Sequence, residues 1–456
     1  MRDIQLFNSL TKHKEPLVPI SPPEVRIYSC GPTVYARQHL GNLRAYVFAD
    51  LVGRTLRFFG YATRHVINIT DVGHLTDDAD AGDDKMEKAA REQNQRAHDI
   101  AAHWTSLFLR DLERLRVEPP DMWAKATDHI AEQIAMIQTL EAKGYTYRTA
   151  DGVYFDTTKS RDYPAFGGGD VDARQAQERV VGSDKRNATD FALWKLSGSQ
   201  RRQMEWPSPW GVGFPGWHIE CSAMSSKHLG ERFDIHTGGV DHLAVHHPNE
   251  IAQSEAAFDV HPWVGTWMHG GWLMLDGDKI AKSTHGAGAP NLDGVIADGI
   301  DPGAFRLFLL GGHYRQQMSL SWDSLRASDD TLRRMRRRLI DGDGGRAGDA
   351  GALRERFHDA IADDLNTPRA LAVLHEALAL ATEERRALAR EFDAVLGLGL
   401  LQDADAFAPH IHERVAEREA ARAARDFERA DAIRAELARE GVDVEDTPHG
   451  PRLHRR

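Results

Sequence analysis

The chain has 456 residues, of which 41% are hydrophobic and 28% are charged, and its formal net charge at pH 7 is −12. This length is too great for one ordinary domain, and the composition is that of a soluble globular protein with two to four domains. The acidic net charge argues against an indiscriminate nucleic-acid binder, and the presence of only two cysteines argues against a disulfide framework. No apolar run reaches the ~18 residues that span a bilayer, which argues against a transmembrane helix.

The first residues carry no secretory signal. Residues 1–16 read MRDIQLFNSLTKHKEP, without an apolar core or a small-residue cleavage site. The sequence therefore predicts a cytoplasmic protein.

The N-terminal part of the chain has the pattern of a βαβ unit. Residues 25–30, VRIYSC, form an apolar run typical of a buried strand, and Gly31-Pro32 then enforces a turn. Apolar residues at helical spacing follow, and Gly60 is a natural residue after a helix end. Residues 63–69, TRHVINI, predict a second strand. Because ligands bind beyond the carboxyl ends of parallel strands, we expect the functional end of the unit there.

The sequence His39-Leu40-Gly41-Asn42 stands at the start of the predicted helix. A helix N-terminus attracts anions through its free N–H groups and its dipole, and a glycine lets a nucleotide approach the backbone. His39 and Asn42 could donate hydrogen bonds to phosphate oxygens. The same residues could instead be a helix cap beside a surface histidine, and four residues alone do not decide between the two interpretations.

Two helices and an insertion are predicted between the βαβ unit and the second cysteine. Residues 84–116 have a helical pattern with one apolar stripe, and residues 129–144 form another amphipathic helix. Residues 145–215 are rich in glycine, aromatic and charged residues, and we interpret them as an insertion with short strands between two halves of a nucleotide-binding fold. Such a split domain would bring Cys30 and Cys221 together.

The residues with metal-binding chemistry are concentrated in 215–250. This stretch holds Cys221, one of only two cysteines, and also His246 and Glu250, which project from one face if the segment is helical. A thiolate, an imidazole and a carboxylate are ligands that Zn²⁺ accepts, and Cys30 is the remaining cysteine. We hypothesise that these four residues surround one zinc ion. A disulfide between the two cysteines is the alternative, although a reducing compartment disfavours it.

A hairpin and a lysine-containing loop follow. The sequence WLMLDGDKI, residues 272–280, predicts a β-hairpin with Asp276-Gly277 at its turn. The motif KIAKS then spans residues 279–283 and carries two lysines and a serine. A mobile loop of this kind suits closure over phosphates, whereas the alternative is an ordinary exposed lysine loop.

The last third of the chain is predicted to be mainly helical. A glycine-rich stretch, 341–351, is the clearest linker, and apolar stripes beyond it indicate a small helical bundle that ends near Leu401. Residues 413–440 predict one long charged helix, and the tail after it alternates as a strand does. The arginines of residues 333–338 form a local basic stripe that permits an RNA partner, although a solvated helix face explains this stripe better when it is taken alone.

The chain also contains, in this order, the motifs CGPTVY, HLGN, NITD, DKRN, DFALWK, WPSPWG, PGWHIECSAM, FDIHTGGVD, HHPNE, KIAKS, GHYR and DDLNTP. Their order over essentially the whole chain resembles the cysteinyl-tRNA synthetase family of class I aminoacyl-tRNA synthetases. The combination of PGWHIECSAM with HHPNE is highly specific, whereas HLGN and KIAKS alone are weak signals.

The resemblance implies an α/β fold, with a split Rossmann-type catalytic domain that contains a connective insertion, followed by a helical bundle and a small C-terminal α+β anticodon-binding module. The implied boundaries are 1–120 and 216–284 for the two halves of the catalytic domain, 121–215 for the connective insertion, 285–340 for a stem-contact region, 352–402 for the bundle and 410–456 for the anticodon-binding module.

The resemblance also implies roles for individual residues. Cys30, Cys221, His246 and Glu250 are the implied zinc ligands, and His247 is a neighbour rather than a ligand. The implied catalytic residues are His39, Asn42, Lys279 and Lys282, the implied ATP-binding residues are Gly41, His236, Gly238, Gly239, Asp241, Lys282 and Ser283, and the implied cysteine-pocket residues are Thr33, Thr70 and Trp217.

Three features depart from the family pattern. Asn42 stands where the HIGH element has its last histidine, but an amide also donates to a phosphate oxygen, so we expect activity to be retained. Ile280 and Ala281 replace the middle pair of KMSKS, while both lysines and the last serine remain. Pro248 stands where glutamate is usual, which suggests that a helix starts near it. None of these changes removes an implied zinc ligand.

The implied function is ATP-dependent attachment of L-cysteine to its cognate tRNA through a cysteinyl-adenylate. One zinc ion per chain would select the substrate thiol, and Mg²⁺ would accompany ATP. The expected partners are ATP, L-cysteine and the tRNA for cysteine, with no membrane, and the chain is expected to be a monomer. Two alternatives stay open: a ligase that joins activated cysteine to an amino sugar, against which the C-terminal module argues, and a non-catalytic paralogue that binds RNA, against which the intact lysines and ligands argue.

Overall fold

The computed structural model describes residues 2–73, 85–93, 95–161, 163, 166, 185–198, 202–275, 278–279, 290–340, 345–402, 407, 409–447 and 450–455. The chain divides into two compact units: the first comprises Met1–Val295, Tyr314–Leu320 and Ala362–Leu365, and the second comprises Ile296–His313, Ser321–Ile361 and Asn366–Arg456. Within the described ranges, no helix combines the length and the apolar content that a bilayer crossing needs.

The strands, in chain order, are β1 (Gln5–Asn8), β2 (His13–Pro16), β3 (Glu24–Ser29), β4 (Ala62–Ile69), β5 (Met122–Lys125), β6 (Thr146–Arg148), β7 (Gly152–Phe155), β8 (Phe191–Leu196), β9 (Gly213–Pro215), β10 (Phe233–Gly239), β11 (Val264–Gly270), β12 (Leu273–Leu275), β13 (Asp278–Lys279), β14 (Met318–Leu320), β15 (Val442–Thr447) and β16 (Gly450–Arg455). The α-helices are α1 (Leu40–Phe58), α2 (Lys85–Gln93), α3 (Ala97–Arg114), α4 (Ile130–Ala142), α5 (Trp217–Leu229), α6 (His246–Phe258), α7 (Leu292–Ala297), α8 (Pro302–Leu310), α9 (Trp322–Ile340), α10 (Ala350–Ala362), α11 (Thr367–Ala377), α12 (Thr382–Leu396), α13 (Pro409–Ala423) and α14 (Phe427–Arg439). Short 3-10 helices cover Ala126–His129, Thr157–Lys159 and Val240–Leu243.

A parallel sheet forms the centre of the first unit. Its strands stand in the order β11-β10-β3-β4-β5, and every neighbouring pair is parallel. Residues such as Ile27, Val66 and Ile235 are fully buried in it, as expected for apolar strands that are covered on both faces. The chain builds one side of the sheet from β3 to β5 and the other side with β10 and β11, so the order reverses between β3 and β10. A crevice therefore opens at the carboxyl ends of these two strands, and the predicted split Rossmann-type fold is confirmed.

An antiparallel sheet lies in the segment between β5 and α5. Its strands stand in the order β6-β7-β8-β9, and the aromatic side chains of Trp194, Tyr154 and Phe155 are fully buried in it. Helix α5 begins two residues after β9 ends, so the segment leads the chain directly from this small sheet into the second half of the large one. The predicted short strands of the insertion are confirmed.

The predicted hairpin before the KIAKS motif is also present. Strands β12 and β13 pair antiparallel, with Leu275 opposite Asp278, and β14 adds to the other edge of β12 in the parallel sense. The turn residues of this hairpin, and Lys282 and Ser283 of the predicted site, lie outside the described residues.

The prediction of one continuous helix over residues 84–116 is wrong. Helix α2 ends at Gln93 and α3 begins at Ala97, whose backbone N–H donates to Gln203 Oε1 at 2.9 Å. A side chain from the insertion therefore satisfies a free donor at a new helix start. The apolar stripe of the sequence contains no sign of this distant partner.

The prediction of one long helix over residues 413–440 is wrong for a local reason. Arg425 lies between α13 and α14 with a φ of 63°, a left-handed conformation that ends a helix. Asp426 then caps α14, since its side chain accepts from the Arg429 N–H at 3.0 Å. The predicted stop is present, because Gly441 follows α14 with a φ of 79°.

The second unit contains the predicted helical bundle and the α+β module. In the bundle, the rings of Phe357 and Phe392 stack with their centroids 3.9 Å apart, and both side chains are fully buried. At the C-terminal end, α13 and α14 share a hydrophobic cluster with the antiparallel pair β15 and β16. The predicted strand character of the tail is confirmed by this pair.

Candidate active site

The four predicted zinc ligands meet at the carboxyl edge of the parallel sheet. Cys30 directly follows β3, Cys221 lies in α5, and His246 and Glu250 lie one turn apart in α6. One ligand atom from each residue lies within 4.8 Å of the other three. Cys221, His246 and Glu250 are buried, and Cys30 is partly exposed as a residue although its thiol lies in the buried cluster. The two cysteines are free, so the alternative of a disulfide is not realised.

His246 and Glu250 form a buried ion pair. His246 Nε2 lies 2.9 Å from Glu250 Oε1, which is the i, i+4 contact expected on one helix face. Burial alone would lower the pKa of His246, but the charge of Glu250 and the contact with Cys221 outweigh it and raise the pKa to about 10. Burial would likewise raise the pKa of Glu250, but His236 and His246 lower it to about 2. Each of these two groups thus favours the charged form of the other.

The two cysteines differ in their acidity. Burial, together with the hydrogen bond and charge of Cys221, raises the pKa of the Cys30 thiol well above its usual value. The hydrogen bond from Cys30 lowers the pKa of Cys221. Cys221 is therefore the thiol that ionises first, and a metal ion would deprotonate both.

His247 occupies a neighbouring position with its own partners. Its Nε2 lies 3.3 Å from Cys30 Sγ, its Nδ1 lies 2.7 Å from His269 Nε2, and His269 Nδ1 lies 2.8 Å from Ser9 Oγ. Burial and the nearby His236 and His269 lower the pKa of His247 well below its usual value, so this imidazole is neutral. A second set of possible ligands, Cys30, His236, His247 and Glu250, is also close enough to hold an ion.

The predicted ligand set fits a metal ion on two grounds. Glu250 Oε1 is buried and makes no hydrogen bond of suitable geometry to any described residue, although it lies close to His246 Nε2. A cation bound between Glu250 Oε1 and His246 Nε2 would give this buried carboxylate oxygen a partner. The donor set of two sulfurs, one imidazole and one carboxylate is also one that tetrahedral zinc accepts.

A cleft of about 460 Å³ opens above this cluster. The predicted site residues that line it are Cys30, Thr33, His39, Gly41, Asn42, Thr70, Trp217, Cys221, Gly239, Asp241 and His246. The other predicted residues, His236, Gly238 and Glu250, are buried. Lys279 is described only through its backbone, which pairs with Met274 in the hairpin. Among the residues that the structure describes, the predicted metal and cysteine residues and part of the predicted nucleotide residues thus lie at one crevice, the one expected from the strand order.

His39 and Asn42 form a reciprocal helix cap at the start of α1. Asn42 N donates to His39 Nδ1 at 3.1 Å, and His39 N donates to the Asn42 side chain at 3.4 Å. Because Nδ1 accepts a hydrogen bond, the proton of the neutral imidazole is on Nε2. The capping interpretation is therefore correct as far as it goes, but both side chains also line the cleft, so it does not exclude phosphate binding.

Thr33 and Thr70 lie side by side, and Trp217 faces the metal cluster. The two threonines form an isolated parallel bridge, in which Thr70 N donates to Pro32 O at 3.0 Å. The Trp217 ring lies 4.3 Å from the His246 ring, measured between centroids. This arrangement joins the predicted cysteine pocket to a predicted ligand.

Asn68 is a cleft residue that the sequence reasoning missed. Its Oδ1 accepts from Gly31 N at 2.7 Å, its Nδ2 donates to Thr70 Oγ1 at 3.0 Å, and it lines the cleft. A Cβ at Gly31 would lie 1.5 Å from Asn68 O, so only glycine permits this approach. The signal was available, because Asn68 begins the NITD motif at the end of β4. Further cleft residues that were not singled out are Tyr35, Arg37, Gln38, Arg44, Tyr46, His242 and Trp272.

Comparisons with known proteins cover nearly the whole chain. The family described as tRNA synthetases class I (C) catalytic domain matches residues 16–330, the DALR domain matches 356–401, and the cysteinyl-tRNA ligase anticodon binding domain matches 404–451.

Relatives and solved structures agree with these matches. "Cysteine--tRNA ligase 1" of Burkholderia lata is 49% identical over 99% of this chain and 96% of its own length. "Cysteine--tRNA ligase" of Novosphingobium aromaticivorans is 44% identical over 97% of this chain and 95% of its own length. Methionyl-tRNA synthetase of Mycobacterium tuberculosis bound by methionyl-adenylate has a TM-score of 0.56 at 15% identity, covers 86% of this chain and 94% of its own, and is similar in fold alone. The chain belongs to the cysteine–tRNA ligase family of class I aminoacyl-tRNA synthetases.

Proposed function

We propose that this protein attaches L-cysteine to its cognate tRNA in two steps. The cysteine carboxylate attacks the α-phosphorus of ATP and gives cysteinyl-adenylate and pyrophosphate, and a hydroxyl of the terminal adenosine of the tRNA then attacks the adenylate. One observation carries the proposal: a buried Cys, Cys, His and Glu cluster shares a cleft with the capped N-terminus of α1 at the topological switch of the sheet. The family of the chain supports the same reaction.

We assign Cys30, Cys221, His246 and Glu250 as the ligands of one zinc ion. We prefer this set to the one with His236 and His247, because it uses both thiols and because His236 Nε2 lies 3.0 Å from Glu250 Oε2, in the position of a supporting partner. When bound, zinc would favour a thiolate over an alcohol and so distinguish cysteine from serine.

In this proposal the thiol end of the substrate L-cysteine lies against this cluster, and its reacting carboxylate points away from the cluster. Trp217, Thr33 and Thr70 line the cleft beside it. In this proposal they hold the amino acid with its carboxylate toward α1. Positioning of this kind accounts for a large part of the rate when the reaction needs little covalent chemistry from the protein.

The nucleotide lies along the start of α1 and the end of β10 in this proposal. Gly41, Gly238 and Gly239 allow the backbone to approach the adenylate, His236 supports this edge, and Asp241 accepts from ribose hydroxyls. His39 Nε2–H and the Asn42 amide donate to the triphosphate, with Mg²⁺ bound to ATP. Lys279 and Lys282, with Ser283, offset the charge that develops on the leaving pyrophosphate.

The second substrate is the tRNA for cysteine. We assign its anticodon to the C-terminal module of residues 410–456, and we assign phosphate contacts to arginines of the preceding helices. We further propose that the protein acts as a cytoplasmic monomer.

Cysteine-dependent exchange of pyrophosphate into ATP, followed by charging of total tRNA, tests the proposal. We expect exchange that depends on cysteine and not on serine, and incorporation of labelled cysteine into tRNA. Absence of exchange by zinc-loaded protein would contradict an enzymatic role and favour an RNA-binding paralogue. Exchange without charging, together with consumption of an amino sugar, would instead favour the small-molecule ligase.

A further inference from the structure

Arg44 is a buried arginine on α1 that binds three backbone carbonyls. Its side chain is 5% exposed, Nη1 donates to Trp272 O at 2.5 Å, and Nη2 donates to Tyr314 O at 3.1 Å and to Gln316 O at 2.6 Å. Burial lowers the pKa of Arg44 to about 10, which leaves the guanidinium charged at pH 7. Charge-assisted hydrogen bonds of this kind are stronger than neutral ones, so Arg44 ties the three carbonyls together.

The three carbonyls belong to two chain segments, one at Trp272 and one from Tyr314 to Gln316, and backbone hydrogen bonds also join these segments to each other. Gly271 N donates to Tyr314 O at 2.8 Å, and Met318 N donates to Trp272 O at 3.0 Å. A Cβ at Gly271 would lie 2.4 Å from Gln316 O, so the two segments approach as closely as glycine permits. Tyr314 O and Trp272 O therefore each accept one backbone bond and one bond from Arg44.

The segment around Tyr314 also has hydrogen-bond partners on the side away from Arg44. These contacts join the motifs GHYR and DDLNTP, to which the proposed function gives no role. The Tyr314 hydroxyl of GHYR donates to Asp364 Oδ1 of DDLNTP at 2.7 Å, and Arg315 Nε donates to Asp364 Oδ2 at 2.9 Å. Asp364 Oδ1 also accepts from Phe7 N at 2.9 Å. The segment that Arg44 binds is thus held on two sides, and α1 supplies one of them.

These contacts lie beside the hairpin that carries the first residue of the KIAKS motif. Trp272 is followed directly by β12, which pairs with β13, and β13 ends at Lys279, the first residue of KIAKS. Arg44 lies on α1 two residues after Asn42, so the same helix carries the phosphate-facing cap and the clamp on the hairpin. Phe48, one turn further on, stacks on the Tyr314 ring with centroids 4.5 Å apart and an angle of 10°.

We propose that Arg44 is a positioning residue, which sets the β12–β13 hairpin at a fixed place relative to the His39–Asn42 end of α1. This inference rests on the proposed function, since it concerns the two elements to which that function assigns the triphosphate. Arg44 lines the cleft, but both of its Nη atoms are engaged by the three carbonyls, so it acts on the hairpin rather than on the substrate. A misplacement of about 1 Å between such elements can reduce the rate by about 10²-fold.

The fork geometry of the guanidinium makes Arg44→Lys an informative variant. Lysine keeps the charge and the buried stem, but its single ammonium cannot reproduce the planar fork that reaches three carbonyls. Arg54→Lys is the matched control. Arg54 also lies on α1, its side chain is 10% exposed, and it donates to Asp50 Oδ2 and to Arg116 O, both at 2.8 Å, away from the hairpin.

The assay is cysteine-dependent ATP–pyrophosphate exchange by zinc-loaded protein, with the KM measured separately for pyrophosphate, ATP and cysteine. For Arg44→Lys we expect kcat to fall at least about ten-fold and the KM for pyrophosphate to rise, because the hairpin strand β13 carries Lys279, to which the proposed function assigns the charge of the leaving pyrophosphate. We expect the KM for cysteine and the bound zinc to stay within about two-fold of the wild type, because the cysteine pocket lies on other elements. Arg54→Lys should stay within about two-fold in every parameter.

The outcomes separate this inference from the function beneath it. Absence of exchange by the wild type would overturn both, whereas normal exchange by the wild type and by Arg44→Lys would overturn the positioning role alone. A uniform rise of all three KM values, a loss of zinc, or failure of Arg44→Lys to fold would show that Arg44 supports the whole domain, and this too would overturn the proposal. A selective effect on kcat and pyrophosphate would support it.

Discussion

Replacing His39 by asparagine separates helix capping from phosphate binding at the start of α1. The imidazole does two things in the structure: Nδ1 accepts the Asn42 N–H at 3.1 Å, and the ring lines the cleft. Asparagine is among the best N-cap residues, since its side-chain oxygen can accept the same N–H. It is too short to place a donor where Nε2–H stands. His39→Asn therefore keeps the cap and removes the donor, whereas His39→Ala removes both.

The expected effects differ in kind and in size. Loss of one preorganised donor to a developing charge costs about 2.7–4 kcal/mol of barrier, which corresponds to about 10²–10³-fold in kcat for pyrophosphate exchange. Loss of an N-cap costs about 1 kcal/mol of unfolding free energy. We therefore expect both variants to lose about 10²–10³-fold in kcat, and only His39→Ala to lose about 1 kcal/mol of stability.

The assay combines exchange kinetics with urea unfolding of each variant. His39→Ala serves as the control for the cap, and bound zinc serves as the control for the intact cluster. The reasoning is refuted if His39→Asn exchanges pyrophosphate at the wild-type rate, because His39 would then be a cap and nothing more. It is also refuted if His39→Asn is destabilised as much as His39→Ala, because the asparagine would then not have replaced the cap.

Three other outcomes are expected. Cys221→Ser should reduce bound zinc from about one per chain to near zero and raise the KM for cysteine at least about ten-fold, by metal analysis and exchange kinetics, and unchanged values for both would make the ligand assignment wrong. Burial lowers the pKa of His65, whose Nε2 lies 2.8 Å from Ser29 Oγ, to about 4, so the unfolded chain takes up a proton below about pH 6.5 that the folded chain does not. The unfolding free energy should therefore fall by up to about 3 kcal/mol between pH 6.5 and pH 4, and His65→Gln should flatten that part of the urea-unfolding profile, whereas an unchanged slope would contradict the assignment. Gly238→Ala would place a Cβ 2.6 Å from His247 Cε1, so we expect roughly ten- to hundred-fold weaker zinc retention in chelator competition, while Gly53→Ala on α1 should retain zinc normally. Equal retention by both glycine variants would show that the histidines can move aside at no cost.

Local patterns predicted the parts of the fold that depend on local chemistry. The apolar runs of β3 and β4 need no partner to be recognised, and the spacing of His246 and Glu250 placed both on one helix face before any fold was known. The breaks in the helices were not predicted, because their causes are not periodic. The left-handed Arg425 leaves the composition of the helices around it unchanged, and the start of α3 depends on Gln203, which lies far away in the sequence.

The same distinction applies to the site. Residue types alone indicated the two cysteines, His246 and Glu250 as candidate zinc ligands, because few kinds of side chain bind zinc. The role of Asn68 depends on the proximity of Gly31, which follows a different strand, and the role of Arg44 depends on carbonyls more than 200 positions away. Every residue has a backbone carbonyl, so the residue types in a sequence do not show which carbonyls will accept a distant hydrogen bond.

The four proposed ligands are made at very different times. A ribosome that adds 5–20 residues per second completes Glu250 roughly 10–45 s after Cys30. For most of that interval, until Cys221 is made, the first thiol has none of its partners, and until Glu250 is made any ion that it meets is held by an incomplete set of donors. A chain that binds zinc through all four ligands is therefore a chain in which the strand before Cys30 and the helix that carries Glu250 have already packed together. The fraction of newly made chains that lack zinc would then measure how often the two halves of the sheet fail to join.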